Sequence, residues 1–109
     1  MRFDPELRET DFNQWVINQS QYRKEMEFYY ITEYQTRVEL TQAIQRFAPF
    51  NSAHEGFAVL KEEVDELWDE VKAKQGARDV DKMRKEAIQV AAMAMRFVID
   101  VCDAQRGQV

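Results

Sequence analysis

Glycine and proline are nearly missing from this chain, and that constrains its fold more than any other feature. Only Gly56, Gly76 and Gly107 and only Pro5 and Pro49 occur in 109 residues. Sandwiches and barrels need turn-forming residues every dozen positions or so, and this sequence does not supply them. An all-α chain is therefore expected. Residues 1–10 are polar, contain Pro5 and show no period, so they read as an arm or loop. From Asp11 as N-cap, apolar residues recur at a loose helical spacing to Phe47, giving one broken helix or two over 11–47. Ala48-Pro49-Phe50-Asn51-Ser52 ends that stretch, and Ser52 with Glu55 has the spacing of a capping box, so a second helix is predicted over 52–74. Gly76 marks its end, and a third helix is predicted from Arg78 or Asp79 to Asp103.

A chain of this length is expected to form one domain, 1–109, built as a helical bundle. With 45% hydrophobic residues it has material for a core, and with 32% charged residues it has too much charge to sit in a membrane. Twenty acidic against fifteen basic residues give a net charge of −5, which disfavours holding a nucleic-acid backbone. Cys102 has no second cysteine to pair with, and Met1 to Glu6 do not resemble a secretory signal, so a reducing cytoplasm is the expected compartment.

The second helix carries an unusual charge pattern. On a wheel of about 100° per residue, Glu55, Glu62, Glu63, Asp69 and Glu70 fall within about 60° of Glu66. Phe57, Leu60, Val64, Leu67, Trp68 and Val71 occupy the adjoining arc and are the expected core stripe. Acidic helix faces are ordinarily solvated surface. Here, however, Glu62 and Glu66, Glu66 and Glu70, and Glu63 and Glu66 are neighbours that repel by a few tenths of a kcal/mol each. A divalent cation reverses the sign of that repulsion, and Mg²⁺ takes oxygen ligands at about 2.0–2.1 Å.

The third helix offers a complement. Glu86 is the single acidic residue between Met83 and Ile99, amid alanine, isoleucine, methionine and valine. A carboxylate entering such a segment needs a partner. Glu86 and Gln89 lie at the edge of the apolar arc, and the short connection at Gly76 predicts antiparallel packing that faces them toward Glu63 and Glu66.

These residues resemble the MazG-type all-α nucleotide pyrophosphohydrolases, marked by an EExxE segment and a following ExxD segment. Glu62-Glu63-Val64-Asp65-Glu66 matches the first, and Glu86-Ala87-Ile88-Gln89 matches the second except at its last position. His54 to Val71 and Lys85 to Cys102 look most like the bacteriophage members, some of which act on purine deoxynucleoside triphosphates such as dGTP or dATP, in the host cytoplasm. The resemblance covers the last half of the chain. It implies hydrolysis of a nucleoside triphosphate between its α and β phosphates, giving monophosphate and pyrophosphate, with Mg²⁺ or Mn²⁺. It implies Glu63, Glu66 and Glu86 as metal ligands and Glu62 as the residue that orients or deprotonates water. Gln89 stands where the family has aspartate and brings one carbonyl oxygen without charge. Asp69 is a possible replacement, whereas Asp100 lies about 21 Å along the helix from Glu86.

Lys82, Arg78 and Lys85 offer cations for the outer phosphates, and His54 could touch base or phosphate. Phe50, Phe57, Trp68 and the tyrosines from Tyr22 to Tyr34 are expected in the core or an interface, with one free to stack on a base. Cys102 falls on the apolar side and is expected to be buried and inert. Aromatic residues on several faces predict a homodimer or homotetramer. The competing reading is a non-catalytic helical module whose acidic stripe binds a basic partner.

Overall fold

The computed structural model describes residues 27–104. All the regular structure among them is helical, with no strand. The helices are α1, Glu27–Arg46, α2, Ala53–Val71, and α3, Val80–Phe97. A single 3₁₀ turn at Gln75–Ala77 lies between α2 and α3, and a π-helical segment, Val98–Asp103, continues α3. The chain divides into two units, Met1–Ile31 and Thr32–Val109. Of the first unit the described residues are the opening turn of α1; everything below concerns the second. The part of the expected helical stretch 11–47 that precedes Glu27, and the arm over 1–10, lie outside the described residues.

The punctuation in the sequence sets these boundaries. Ser52 caps α2, its Oγ accepting from Glu55 N at 3.1 Å. The Glu55 carboxylate does not close the box but accepts from Asn51 Nδ2 at 3.0 Å. Asp79 caps α3, its Oδ1 accepting from Lys82 N at 3.1 Å. The end of α2 comes three residues earlier than predicted, at Val71 rather than Lys74. Val71 O is satisfied there by Arg78 Nε at 2.9 Å, so a side chain from beyond the turn closes the helix end. Among the described residues no helix is long and apolar enough to cross a membrane.

α2 and α3 pack as a hairpin, and two features set their approach. Gly56 is buried, and a Cβ built on it would stand 2.8 Å from Phe97 Cδ2 and 3.0 Å from Phe50 Cδ2, so both rings rest where a side chain would be. The less exposed positions of α2 then run Gly56, Val59, Leu60, Glu63, Glu66, Leu67, Glu70 and Val71. This seam lies closer to the carboxylates than the wheel predicts. Half of the expected core stripe is therefore displaced outward: Phe57, Val64 and Trp68 are 61%, 44% and 57% exposed, while Leu60, Leu67 and Val71 are half-buried. The seam takes in glutamates because the glycine and the two rings, not the centre of the apolar arc, fix the closest approach.

Arg96 ties the C-terminal end of α1 to the hairpin. It is 2% exposed, and its guanidinium donates to Ala43 O at 2.9 Å, Phe47 O at 2.6 Å and Asp100 Oδ2 at 2.9 Å. Asp100 Oδ2 also accepts from Phe50 N at 3.1 Å, and the Phe50 ring lies 5.3 Å from the guanidinium carbon. One buried cation thus satisfies carbonyls at the end of α1 and orients the loop into α2. Leu40, Ala92 and Val101 are buried as well. Cys102, expected in the core, is exposed. It falls inside the π-helical segment, where the changed winding shifts side chains from the faces that a regular α-helical wheel assigns them.

Candidate metal centre

Three of the residues singled out from sequence meet in space. One carboxylate oxygen from each of Glu63, Glu66 and Glu86 lies within 4.8 Å of the other two. Glu63 and Glu66 are three residues apart and so share a face of α2, while Glu86 crosses from α3. The hairpin geometry brings them together because Glu63 is part of the α2 seam and Glu86 is half-buried on α3.

Crowding like charges has an electrostatic consequence. The Glu63 carboxyl is pushed up from 4.5 to about 7 by burial, by the charge of Glu66 and its hydrogen bond, and by Glu86 and Glu62. Glu86 is also raised, first by burial and then by Glu66, with Lys85 opposing. Uncompensated, the group holds more negative charge than its surroundings favour.

Gln89 ends against the same cluster. With its amide oriented as donor, Nε2 gives hydrogen bonds to Glu86 Oε2 at 3.0 Å and Glu63 Oε2 at 3.1 Å. In the opposite orientation the carbonyl oxygen faces those carboxylates, and Nε2 lies 3.5 Å from Glu39 Oε1, a long and weak contact.

The convergent donors are three carboxylates, without sulfur or imidazole. Such ligands suit Mg²⁺, Ca²⁺ or Mn²⁺. Oxygens bound to Mg²⁺ at about 2.1 Å stand about 3 Å apart as neighbours and about 4 Å apart across the ion. The 4.8 Å envelope is slightly wider, so a small contraction of flexible glutamate side chains closes it.

Other candidates from sequence are placed differently. Glu62 is exposed, next to the cluster but outside the convergent set. Asp69 pairs with Lys72 at 3.0 Å, and Asp100 is committed to Arg96 and Phe50, so neither replaces a ligand. Lys85 lies close enough to lower the Glu86 carboxyl, while Lys82 is exposed one turn earlier. The Nε of Arg78 is spent on Val71 O. His54 is exposed in the first turn of α2.

Sequence reasoning missed the surroundings. A cavity of about 460 Å³ opens beside the cluster, with Glu63 and Gln89 in its wall and Phe47, Phe50, Val59 and Met93 as its apolar lining. Arg96 and Glu39 also border it. A second cleft of about 450 Å³ shares Glu39 and is lined by Tyr34, Arg84 and Lys85. Arg96 had a legible signal, as the lone charge between Ile88 and Ile99, the same argument that picks out Glu86. Glu39 had none, because α1 has no clear amphipathic face. Comparison of the chain with protein-family models, with curated proteins and with solved structures finds no match.

Proposed function

We propose that the chain is a metal-dependent nucleoside triphosphate pyrophosphohydrolase of MazG-like type. The observation that carries this reading is the convergence of Glu63, Glu66 and Glu86 from two helices on one point. An acidic cleft can receive a triphosphate, which carries about four negative charges, only through bridging cations. Glu63, Glu66 and Glu86 would hold Mg²⁺, for which Mn²⁺ can substitute. When bound, the metal supplies the positive charge that joins carboxylates to phosphate oxygens and draws electrons from phosphorus.

The chain's own residues do the rest. Glu62, beside the cluster and open to solvent, orients a water and accepts its proton as the oxygen attacks the α phosphorus. The bridging oxygen between the α and β phosphates leaves with pyrophosphate, and the nucleoside monophosphate remains. Lys85, adjacent to Glu86, and Lys82, a turn before it, supply cations for the outer phosphates. The aromatic and aliphatic lining of the adjoining cavity suits a nucleobase. The motif resemblance makes purine deoxynucleoside triphosphates the first substrates to try, and the cytoplasm the compartment where they occur.

The exposed Phe57, Val64 and Trp68 of α2, with Met95 of α3 and Val98 of the π-helical segment, support assembly as a homodimer or homotetramer. The test incubates purified protein with each deoxynucleoside triphosphate and Mg²⁺ and identifies the products. Monophosphate with pyrophosphate is expected, and Glu66→Gln should abolish it with far-UV circular dichroism unchanged. Diphosphate with phosphate, or no turnover of any nucleotide, overturns the proposal.

A further inference from the structure

Gln89 stands between two sets of acceptors. On one side are Glu63 Oε2 and Glu86 Oε2, and on the other is Glu39 of α1, whose Oε1 is 3.5 Å from Nε2. An amide donates from one end and accepts at the other, and a half-turn about its last bond exchanges the two. Pointing NH₂ at the glutamates gives contacts of 3.0 and 3.1 Å that offset carboxylate repulsion while no cation is bound. Pointing the carbonyl at them places an oxygen at the same 3.0 and 3.1 Å, close to the edge of an oxygen octahedron with bonds of about 2.1 Å. That second orientation leaves NH₂ facing Glu39.

We propose that Glu39 is a positioning residue for the metal centre. It accepts the Gln89 N–H, holds the amide carbonyl toward Glu63 and Glu86, and so turns a neutral side chain into a fourth oxygen ligand. This rests on the cation reading above. Glu39 also places a carboxylate just behind the amide, so a neutral ligand retains a nearby negative charge. Outer-sphere acceptors that fix a ligand's orientation commonly change metal affinity by about 10–100-fold when removed.

The experiment is calorimetric titration of the full chain with Mn²⁺, applied to wild type, Glu39→Ala, Glu39→Gln, Gln89→Ala and the Glu39→Ala/Gln89→Ala double variant. Wild type should bind saturably. Glu39→Ala should weaken binding about 10–100-fold. Glu39→Gln, whose amide oxygen still accepts, should stay within about threefold of wild type. In the Gln89→Ala background Glu39→Ala should have no further effect, because its partner is gone. The side-chain NH₂ resonance of Gln89, identified by its loss in Gln89→Ala, should shift when Mg²⁺ is added to wild type. An unchanged affinity in Glu39→Ala overturns the inference while leaving the metal centre intact. So does an undiminished effect in the double variant, which would mean that Glu39 acts without Gln89. Absence of Mn²⁺ binding in the wild type overturns both this inference and the reading it rests on.

Discussion

Replacing Glu63 by glutamine removes one charge from the crowded cluster while keeping side-chain length and shape, and the structure fixes both the sign and the size of the result. The native carboxyl is pushed from 4.5 to about 7. A folded-state value above the unfolded one means that the native chain binds the proton more tightly. Its contribution to stability is fully present below about pH 4.5 and is lost as pH rises toward 7. At about 1.36 kcal/mol per pH unit the whole displacement corresponds to ~3 kcal/mol. Glu63 is only half-buried, and screening by solvent brings the contribution to ~1–2 kcal/mol. Without divalent cation, Glu63→Gln should therefore be more stable than wild type by that amount at pH 8, and the gap should close by pH 5. Each kcal/mol corresponds to about 4–8 °C in Tm for a domain of this size. The assay is thermal unfolding followed by circular dichroism in EDTA at four values from pH 5 to 8. Mg²⁺ at about a hundred times its Kd should reverse the order, since it adds ~2.7 kcal/mol to the wild type, and the variant has lost a ligand. A gap that does not vary with pH, or a variant less stable than wild type at pH 8 in EDTA, would refute the electrostatic reasoning.

Two further perturbations probe the frame around the cluster. Arg96→Met should destabilise by ~3–5 kcal/mol in urea unfolding, because it strands the Asp100 carboxylate in a buried site and frees the carbonyls of Ala43 and Phe47. Adding Asp100→Asn should recover part of that loss, since the amide oxygen still accepts from Phe50 N without a charge; a loss under about 1 kcal/mol for Arg96→Met alone would show that the bridge is dispensable. Gly56→Ala should lower Tm by several degrees, because overpacking against Phe97 and Phe50 costs about 1–3 kcal/mol and outweighs the ~1 kcal/mol gain in helix propensity. A rise in Tm would mean that the two rings shift freely.

The parts of the fold that sequence made legible are those set by neighbours in the chain. Ser52 and Asp79 cap helices because a side-chain oxygen three residues before a free N–H is a local geometry, visible in any sequence. The three glutamates were legible for a related reason: two lie one turn apart, and the third intrudes alone into an apolar segment. The resemblance to a known motif singled out the same residues. What stayed hidden depends on contacts between distant segments. Nothing local says that the seam of α2 passes along Gly56 and Glu63, so helical periodicity alone places Phe57, Val64, Trp68 and Cys102 inward, whereas the fold leaves all four exposed. The role of Glu39 depends on a residue 50 positions away, and the cavity beside the cluster has walls from three helices and a loop.

The cluster draws its members from one short hairpin, with Glu63 and Glu86 joined through a single tight connection. Closing so small a loop is quick and entropically mild, so these acids are expected to meet early in folding, before distant segments have docked. The chain then confronts its own repulsion while it is still assembling. On the proposed reading, a divalent cation present at that moment would act as a template as well as a cofactor, and the yield of refolded protein would become a readout of metal supply that needs no substrate at all.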